Sequence, residues 1–419
     1  MAYLRRTSVT PVPKRIIVLT LCLLPALCFA SPGDSGIDYI DTGFENASPL
    51  YWQADANGVV NVYLNYDQER ASINRATLHW HFRLEGRKGA GVTIILNNFD
   101  NVWNGRPGSP IKDNTISHIS EDGRRWSVVR GEKVAGNRYQ LKLRLTTGRL
   151  YVARAEPYRL SDLETLKRSI AAHKKVAIKT IGRTVRGHDL EMIRLGGIDA
   201  PYRVLIRARA HPWEAGGNWV LDGLIKRLLQ DDADALKWLD TYCLYVMPMA
   251  NKDGVVRGGH RFNLHGMDLN RKWDSSPDPN LSPENHALEK WLASMIAADQ
   301  RPDLAIDLHN DSGGKLHVSR PDIDLEKYLA AMKRFEAMLR EHTWFTEGST
   351  GGNFRNPGSF GEGLLERFGI TACVLELNAN WIAGLDDYPT AANWKLFGAQ
   401  LAEALYYYFR HNDPQQPPM

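Results

Sequence analysis

Cysteine is scarce in this 419-residue chain: there are four, and Cys22 and Cys28 fall within the first thirty residues. Cys243 and Cys373 remain, each inside an apolar run, and no CxxC pair exists. A cysteine-ligated zinc ribbon or finger is thereby excluded. A disulfide between the two stays open at this level, beside two buried thiols acting as small apolar groups. Apolar runs of bilayer-spanning length are missing too. Ile16 to Phe29 is short for a span. It follows Arg5, Arg6, Lys14 and Arg15 with no acidic residue among them, and ends at Ala30 before Ser31, Pro32 and Gly33. That layout predicts a signal peptide over 1–30 and export to the periplasm or beyond, with an uncleaved anchor as the alternative. No stable membrane insertion is expected once it is cleaved. Charge of one sign is lacking as well. The four basic residues of that segment account for the whole formal +4, leaving 48 basic and 48 acidic residues. A nucleic-acid partner is not expected from such a balance. There is no internal repeat.

What is present divides near residue 158. Before it, short alternating runs such as Val59 to Tyr66, Thr77 to Leu84, Gly91 to Leu96 and Tyr139 to Leu145 are separated by turn-rich segments. This predicts an all-β sandwich domain over 31–158. After it, strands at 202–208, 242–249, 304–308 and 370–377 alternate with helical stripes at 161–174, 218–229, 282–298, 324–342 and 391–409. Such alternation predicts an α/β domain over 159–412, with a mixed, mostly parallel central sheet flanked by helices. Residues 413–419 read as a disordered tail. Ser161 and Glu164 read as the capping box of the first helix.

Four segments carry chemistry. His211 and Glu214 in Arg209-Ala-His-Pro-Trp-Glu214 follow a strand and precede a helix, where open sheets place ligands. Alone, a His and a Glu three residues apart are equally well read as a surface pair. His309, just past the apolar strand 304–308, is a candidate third ligand. Two imidazoles and one carboxylate suit zinc better than magnesium or calcium, which take oxygen shells. Glu376 stands among strand-forming apolar residues, where a carboxylate is costly without a partner or a task; next to a metal site it is a candidate general base. Asn270 and Arg271 in Asp268-Leu-Asn-Arg271 offer the donors that grip a carboxylate. Arg261 is a candidate for polarising a carbonyl, with Arg257 as rival.

In this order the segments resemble the zinc carboxypeptidase family, and in detail its cytosolic-carboxypeptidase branch. Pro248-Met-Ala-Asn-Lys-Asp-Gly254, Gly266-Met-Asp-Leu-Asn-Arg271, Trp273 and the run Tyr151 to Tyr158 carry the closer likeness. The resemblance implies one zinc per chain on His211, Glu214 and His309, with Glu376 as base and Asp307 in support. It implies Arg261 at the carbonyl, Asn270 and Arg271 at the terminal carboxylate, and a peptide or protein C-terminus as substrate. Arg355, in the glycine-rich stretch 348–358, reads either as a pocket residue that would favour acidic terminal residues or as a solvent-facing loop arginine. The family's mobile tyrosine has no counterpart, since 346–375 contains no Tyr. Muropeptide cleavage, zinc-dependent hydrolysis of acyl amino acids and a non-catalytic binding role are the alternative functions. For the sandwich the choice lies between a packing support and a wall of the cleft.

Overall fold

The computed structural model describes residues 33–319, 325–351 and 355–410. The segments read as signal peptide and tail, 1–30 and 413–419, lie outside them. Among the described residues no helix is long and apolar enough to cross a membrane.

The first part is all β. Two five-stranded sheets face one another, with strands running from Ile37–Asp41 through Arg149–Ala153, and a small four-stranded sheet sits at one side. Alternation explains the pairing of the two sheets. Val60, Val62 and Leu64 of one strand and Val92, Ile94 and Leu96 of its neighbour all turn into one core. Phe82, Leu84, Leu150 and Val152 enter that core from the other sheet, as expected when one face of each sheet is covered.

The second part is built on a seven-stranded sheet. Its order is Val176–Arg183, Asp189–Leu195, Tyr242–Met247, Tyr202–Ala208, Leu304–Asp311, Thr371–Asn378, Lys315–Val318. The central four strands are parallel and the pairings at both edges are antiparallel. Buried on both faces, the parallel strands read as near-continuous apolar runs. Helices Gly216–Leu228, Ala391–Arg410 and Glu326–His342 cover one face, and Pro283–Ala297 and Phe360–Phe368 cover the other.

Three details differ from expectation. The first helix spans Leu160–Ile170, and its cap is Arg159, whose backbone N–H and guanidinium both donate to Asp162. Ser161 lies inside the helix, with its N–H bonded to Glu45 of the sandwich. His309 lies within its strand, because the ladder with 371–378 continues to Asp311 opposite Asn378. Short helices Ala233–Thr241, Lys252–Val256 and Phe360–Phe368 and the strand Lys315–Val318 add to the reading. Cys243 and Cys373 are free and buried. Two strands separate theirs, roughly 14 Å of sheet, twice the reach of a disulfide.

Candidate metal centre and active site

The strand Tyr202–Ala208 ends at a sharp reversal. Arg209 takes a left-handed backbone (φ 62), an uncommon conformation for a side chain of its size. Its buried guanidinium holds the turn, donating to Pro212 O at 2.7 Å and Asn218 Oδ1 at 3.0 Å. Helix Gly216–Leu228 then starts flush against the His309 strand. A Cβ at Gly216 would stand 2.6 Å from the Asn310 amide, and Gly216 N–H donates to Asn310 Oδ1. This close approach delivers His211 and Glu214 to His309.

The three side chains are buried, and their ligand atoms lie within 4.8 Å of one another. Both rings present the same nitrogen inward. His211 Nδ1 is 2.7 Å from Glu214 Oε1, and His309 Nδ1 is 2.7 Å from Glu214 Oε2. The second pair is close but not aligned as a hydrogen bond, so both atoms stay without a hydrogen-bond partner. Both outward nitrogens meet carboxylates: His211 Nε2–H donates to Asp268 Oδ1 at 3.0 Å and His309 Nε2–H to Asp307 Oδ2 at 2.7 Å. Each ring thus has a carboxylate at both nitrogens, and with an ion between Glu214 and the two Nδ1 atoms the ring protons would lie on Nε2, donated to Asp268 and Asp307. Histidines that ligate metals are held in this way. Zinc ligands at bonds of roughly 2.1 Å in a tetrahedron stand about 3.4 Å apart, so this donor set fits zinc.

Asp307 is itself held across the parallel register by Arg207. The fully buried guanidinium donates through Nε at 2.8 Å and also bonds Leu269 O. Asp268 links more groups. Its Oδ1 accepts from His211 and from Asn270 N–H at 2.9 Å, and its Oδ2 accepts from Arg261 Nε at 2.8 Å. Burial alone would raise its carboxyl, but Arg261 and His211 hold it well below the usual range.

The site opens on a cavity of about 750 Å³ lined by His211, Glu214, Arg261, Asn270, Arg271, Arg355 and Glu376. These predicted site residues thus share the cavity, and His309, which is not on its lining, joins them through Glu214. Arg257 instead turns to Asp67 of the sandwich at 3.5 Å, which leaves Arg261 at the cavity. Asn270 Oδ1 accepts from Phe360 N–H at 2.9 Å, so its amide donor is left for the cavity. Glu376 sits in register with His309. Its Oε2 has no hydrogen-bond partner. Burial, then Asp311, push its carboxyl well above the ordinary range, against the pull of His309 and Arg261. Arg355 borders the cavity, half exposed, 3.8 Å from the buried Glu362. Among the described residues no tyrosine lines the cavity. The sandwich does, through Leu78, Trp80, Trp103, Lys112 and Arg154.

Sequence reasoning missed Asp268, Arg207 and Glu362. Each left a trace: Asp268 stands two residues before Asn270, Arg207 interrupts an apolar strand as Asp307 does, and Ser359 with Glu362 spells a capping pair. Ser359 caps that helix, accepting from Glu362 N–H.

Comparison with known proteins agrees with this geometry. A family model described as zinc carboxypeptidase matches residues 163–316. Cytosolic carboxypeptidase 1 of Homo sapiens is 36% identical over 115 residues, 27% of this chain and 9% of that protein. Cytosolic carboxypeptidase 4 of Mus musculus is 25% identical over 292 residues, 61% of this chain and 26% of that protein. The chain therefore matches a small part of these longer relatives. The crystal structure of a metallo-carboxypeptidase from Burkholderia cenocepacia superposes with TM-score 0.78, covering 90% of this chain and 99% of the other at 21% identity. A metallo-carboxypeptidase from Pseudomonas aeruginosa, in complex with (2-guanidinoethylmercapto)succinic acid, gives 0.70, covering 88% and 98%, also at 21%. These two likenesses concern the fold. The segment matched by the zinc carboxypeptidase family model contains His211, Glu214 and His309.

Proposed function

We propose that the protein is a zinc metallocarboxypeptidase that hydrolyses the C-terminal peptide bond of peptides or proteins. One observation carries the reading: donors for a terminal carboxylate share a single cavity with two members of a zinc-type triad, His211 and Glu214, and with a carboxylate of raised pKa. His211, Glu214 and His309 would hold the ion, and bound zinc supplies Lewis acidity at that point. Asn270 Nδ2 and the Arg271 guanidinium grip the terminal carboxylate and set the last peptide bond in place. Glu376 takes the proton from the attacking water and delivers it to the departing amine. Its raised pKa suits it to hold that proton between the two transfers. Arg261, aimed by Asp268, faces the scissile carbonyl and stabilises charge that develops on its oxygen.

Arg355 supports a preference for acidic terminal residues, with Glu362 taking up part of its charge in the absence of substrate. Export is part of the proposal. It rests on the basic and apolar leading segment, and sequencing the N-terminus of the protein recovered outside the cytoplasm tests it.

The function is tested by measuring residue release from a peptide panel, with a chelator and with zinc added back. Single C-terminal residues should be released, lost on chelation and restored by zinc. Zinc-loaded protein that releases nothing from any peptide would refute the reading.

A further inference from the structure

The seam between the sandwich and the α/β part holds a buried cation that the mechanism above does not use. Arg154 follows the sandwich strand Arg149–Ala153, and its backbone N–H donates to Trp80 O at 2.8 Å. The residue is 5% exposed. Its guanidinium donates only to neutral acceptors: Ile116 O at 3.3 Å and Ala379 O at 3.2 Å through Nη1, and Asn380 Oδ1 at 2.7 Å through Nη2. Among the described residues no carboxylate stands within ion-pair distance of it. Burial lowers its pKa to about 10, so it stays charged at neutral pH. A buried charge without a counter-charge is costly. Arg207 meets that cost with Asp307. Arg154 has the rings of two indoles instead, Trp80 at 5.5 Å and Trp213 at 5.6 Å, and cation–π attraction offsets part of the cost. An apolar side chain of similar volume would fill this seam with less desolvation, so filling space is not a sufficient reason for an arginine here.

The segments that Arg154 joins supply a reason. Ala379 and Asn380 directly follow the strand Thr371–Asn378, which carries Glu376. Trp213 stands between His211 and Glu214 in the loop that bears two members of the metal site. Trp213 and Ala379 also share one apolar cluster with Ala76 and Leu78 of the sandwich. From the opposite side, Ala379 N–H donates to Asp311 O at 2.8 Å on the His309 strand. One sandwich side chain therefore touches both the ligand loop and the segment just past the base. Asn270 is held separately, by Asp268 and by Phe360 N–H.

We propose that Arg154 is a positioning residue: by bonding the segment after the base strand and packing on Trp213, it fixes Glu376 relative to the metal-site loop. The proposal rests on the peptidase reading above and gives the sandwich a part in the geometry of catalysis. A misplacement of about 1 Å at a reacting group can lower the rate by about a hundredfold. The grip of Asn270 and Arg271 on the substrate does not pass through Arg154, so binding should survive its loss.

The test compares zinc-loaded Arg154→Met and Arg154→Lys with wild type on one peptide substrate. Met fills the seam without charge or donors, and Lys keeps the charge without the planar fork that reaches Ile116, Ala379 and Asn380 together. In Arg154→Met, kcat should fall by about ten- to a hundredfold with KM within about twofold of wild type and zinc still stoichiometric. In Arg154→Lys, kcat should fall by a smaller factor with KM equally unmoved. Melting above the assay temperature shows that the loss is not unfolding. A kcat within about twofold of wild type in both variants, or a loss carried by KM alone, overturns the assignment. If Arg154→Met does not fold, Arg154→Lys decides by the same criteria. If wild type releases nothing, the peptidase reading falls by itself, and hydrogen exchange then judges the tether. Faster exchange in Arg154→Lys over 376–381 and 211–215, with 266–273 unchanged, supports it, and exchange equal to wild type overturns it.

Discussion

Asp268→Asn removes one charge and inverts one donor while keeping the shape. The carboxylate accepts from three donors, the His211 imidazole, Asn270 N–H and Arg261 Nε, and Arg261 Nη2 adds an ion-pair contact at 2.8 Å. An amide offers one acceptor atom. If its oxygen keeps His211 and Asn270, its NH₂ faces the Arg261 guanidinium, donor against donor. If it turns over, the NH₂ faces His211 Nε2–H and the ring loses the group that fixes its tautomer. The first arrangement leaves the half-buried Arg261 guanidinium without its partner, at a cost of about 1–3 kcal/mol of stability. The second weakens zinc by about 10- to 100-fold, the usual effect of losing such a partner. Competition against a chromophoric chelator measures the affinity, and melting of the zinc-loaded protein measures the stability. The expected outcome is a loss in at least one of the two, together with a fall in kcat/KM. Zinc affinity within about twofold of wild type, with an unmoved melting curve, would refute the assignment of Asp268 as the group that joins His211 to Arg261.

Glu376→Gln should lower kcat by at least about a hundredfold, the low end for a general base, while bound zinc stays stoichiometric by metal analysis; retained turnover would remove Glu376 from the role. Arg355→Ala should shrink the ratio of kcat/KM for C-terminal Glu over C-terminal Leu, and an unchanged ratio would discard Arg355 as a selector. Acid should destabilise the fold through buried histidines. Burial pulls His81 to about 3 and His118 to about 4 from 6.5. Their folded pKa values are depressed, so the unfolded chain binds more protons between the two pKa values. Stability is complete above about pH 6.5 and falls as pH drops toward 4, by on the order of 3 kcal/mol for His118 alone. His118→Gln should flatten that slope in denaturant titrations at pH 7 and pH 5, and an equal slope in both proteins would refute it.

The division between a β-rich part and an α/β part was legible because alternation and helical stripes are local. Strands 202–208 and 304–308 announced themselves as apolar runs, and His211, Glu214, His309 and Glu376 stood out at their ends or within them. Helix Phe360–Phe368 was missed because nine residues hold too little periodicity to outweigh the glycine-rich stretch before it. The cap of the first helix was misplaced for a related reason. Ser161 and Glu164 match the pattern, but Asp162 reaches the Arg159 backbone and guanidinium together and sets the cap two residues earlier.

Residue type and spacing by themselves offered candidate metal ligands, a candidate base and candidate donors for a carboxylate, because those chemistries need particular side chains, and the family resemblance joined them into one site. They also bounded the compartments of the fold, because hydrophobic period follows backbone geometry. Tertiary structure alone decided which partner each group has. Arg261 rather than Arg257 faces the cavity because Asp67 of the sandwich holds Arg257. Asp268 reaches His211 across 57 positions of chain, and Arg207 reaches Asp307 across 100. Cys243 and Cys373 stay apart because two strands come between them. Trp103 and Trp213 are 110 positions apart and join one wall only when the sandwich docks on the loop after Ala208. Such pairings depend on the path of the whole chain, which no local pattern records.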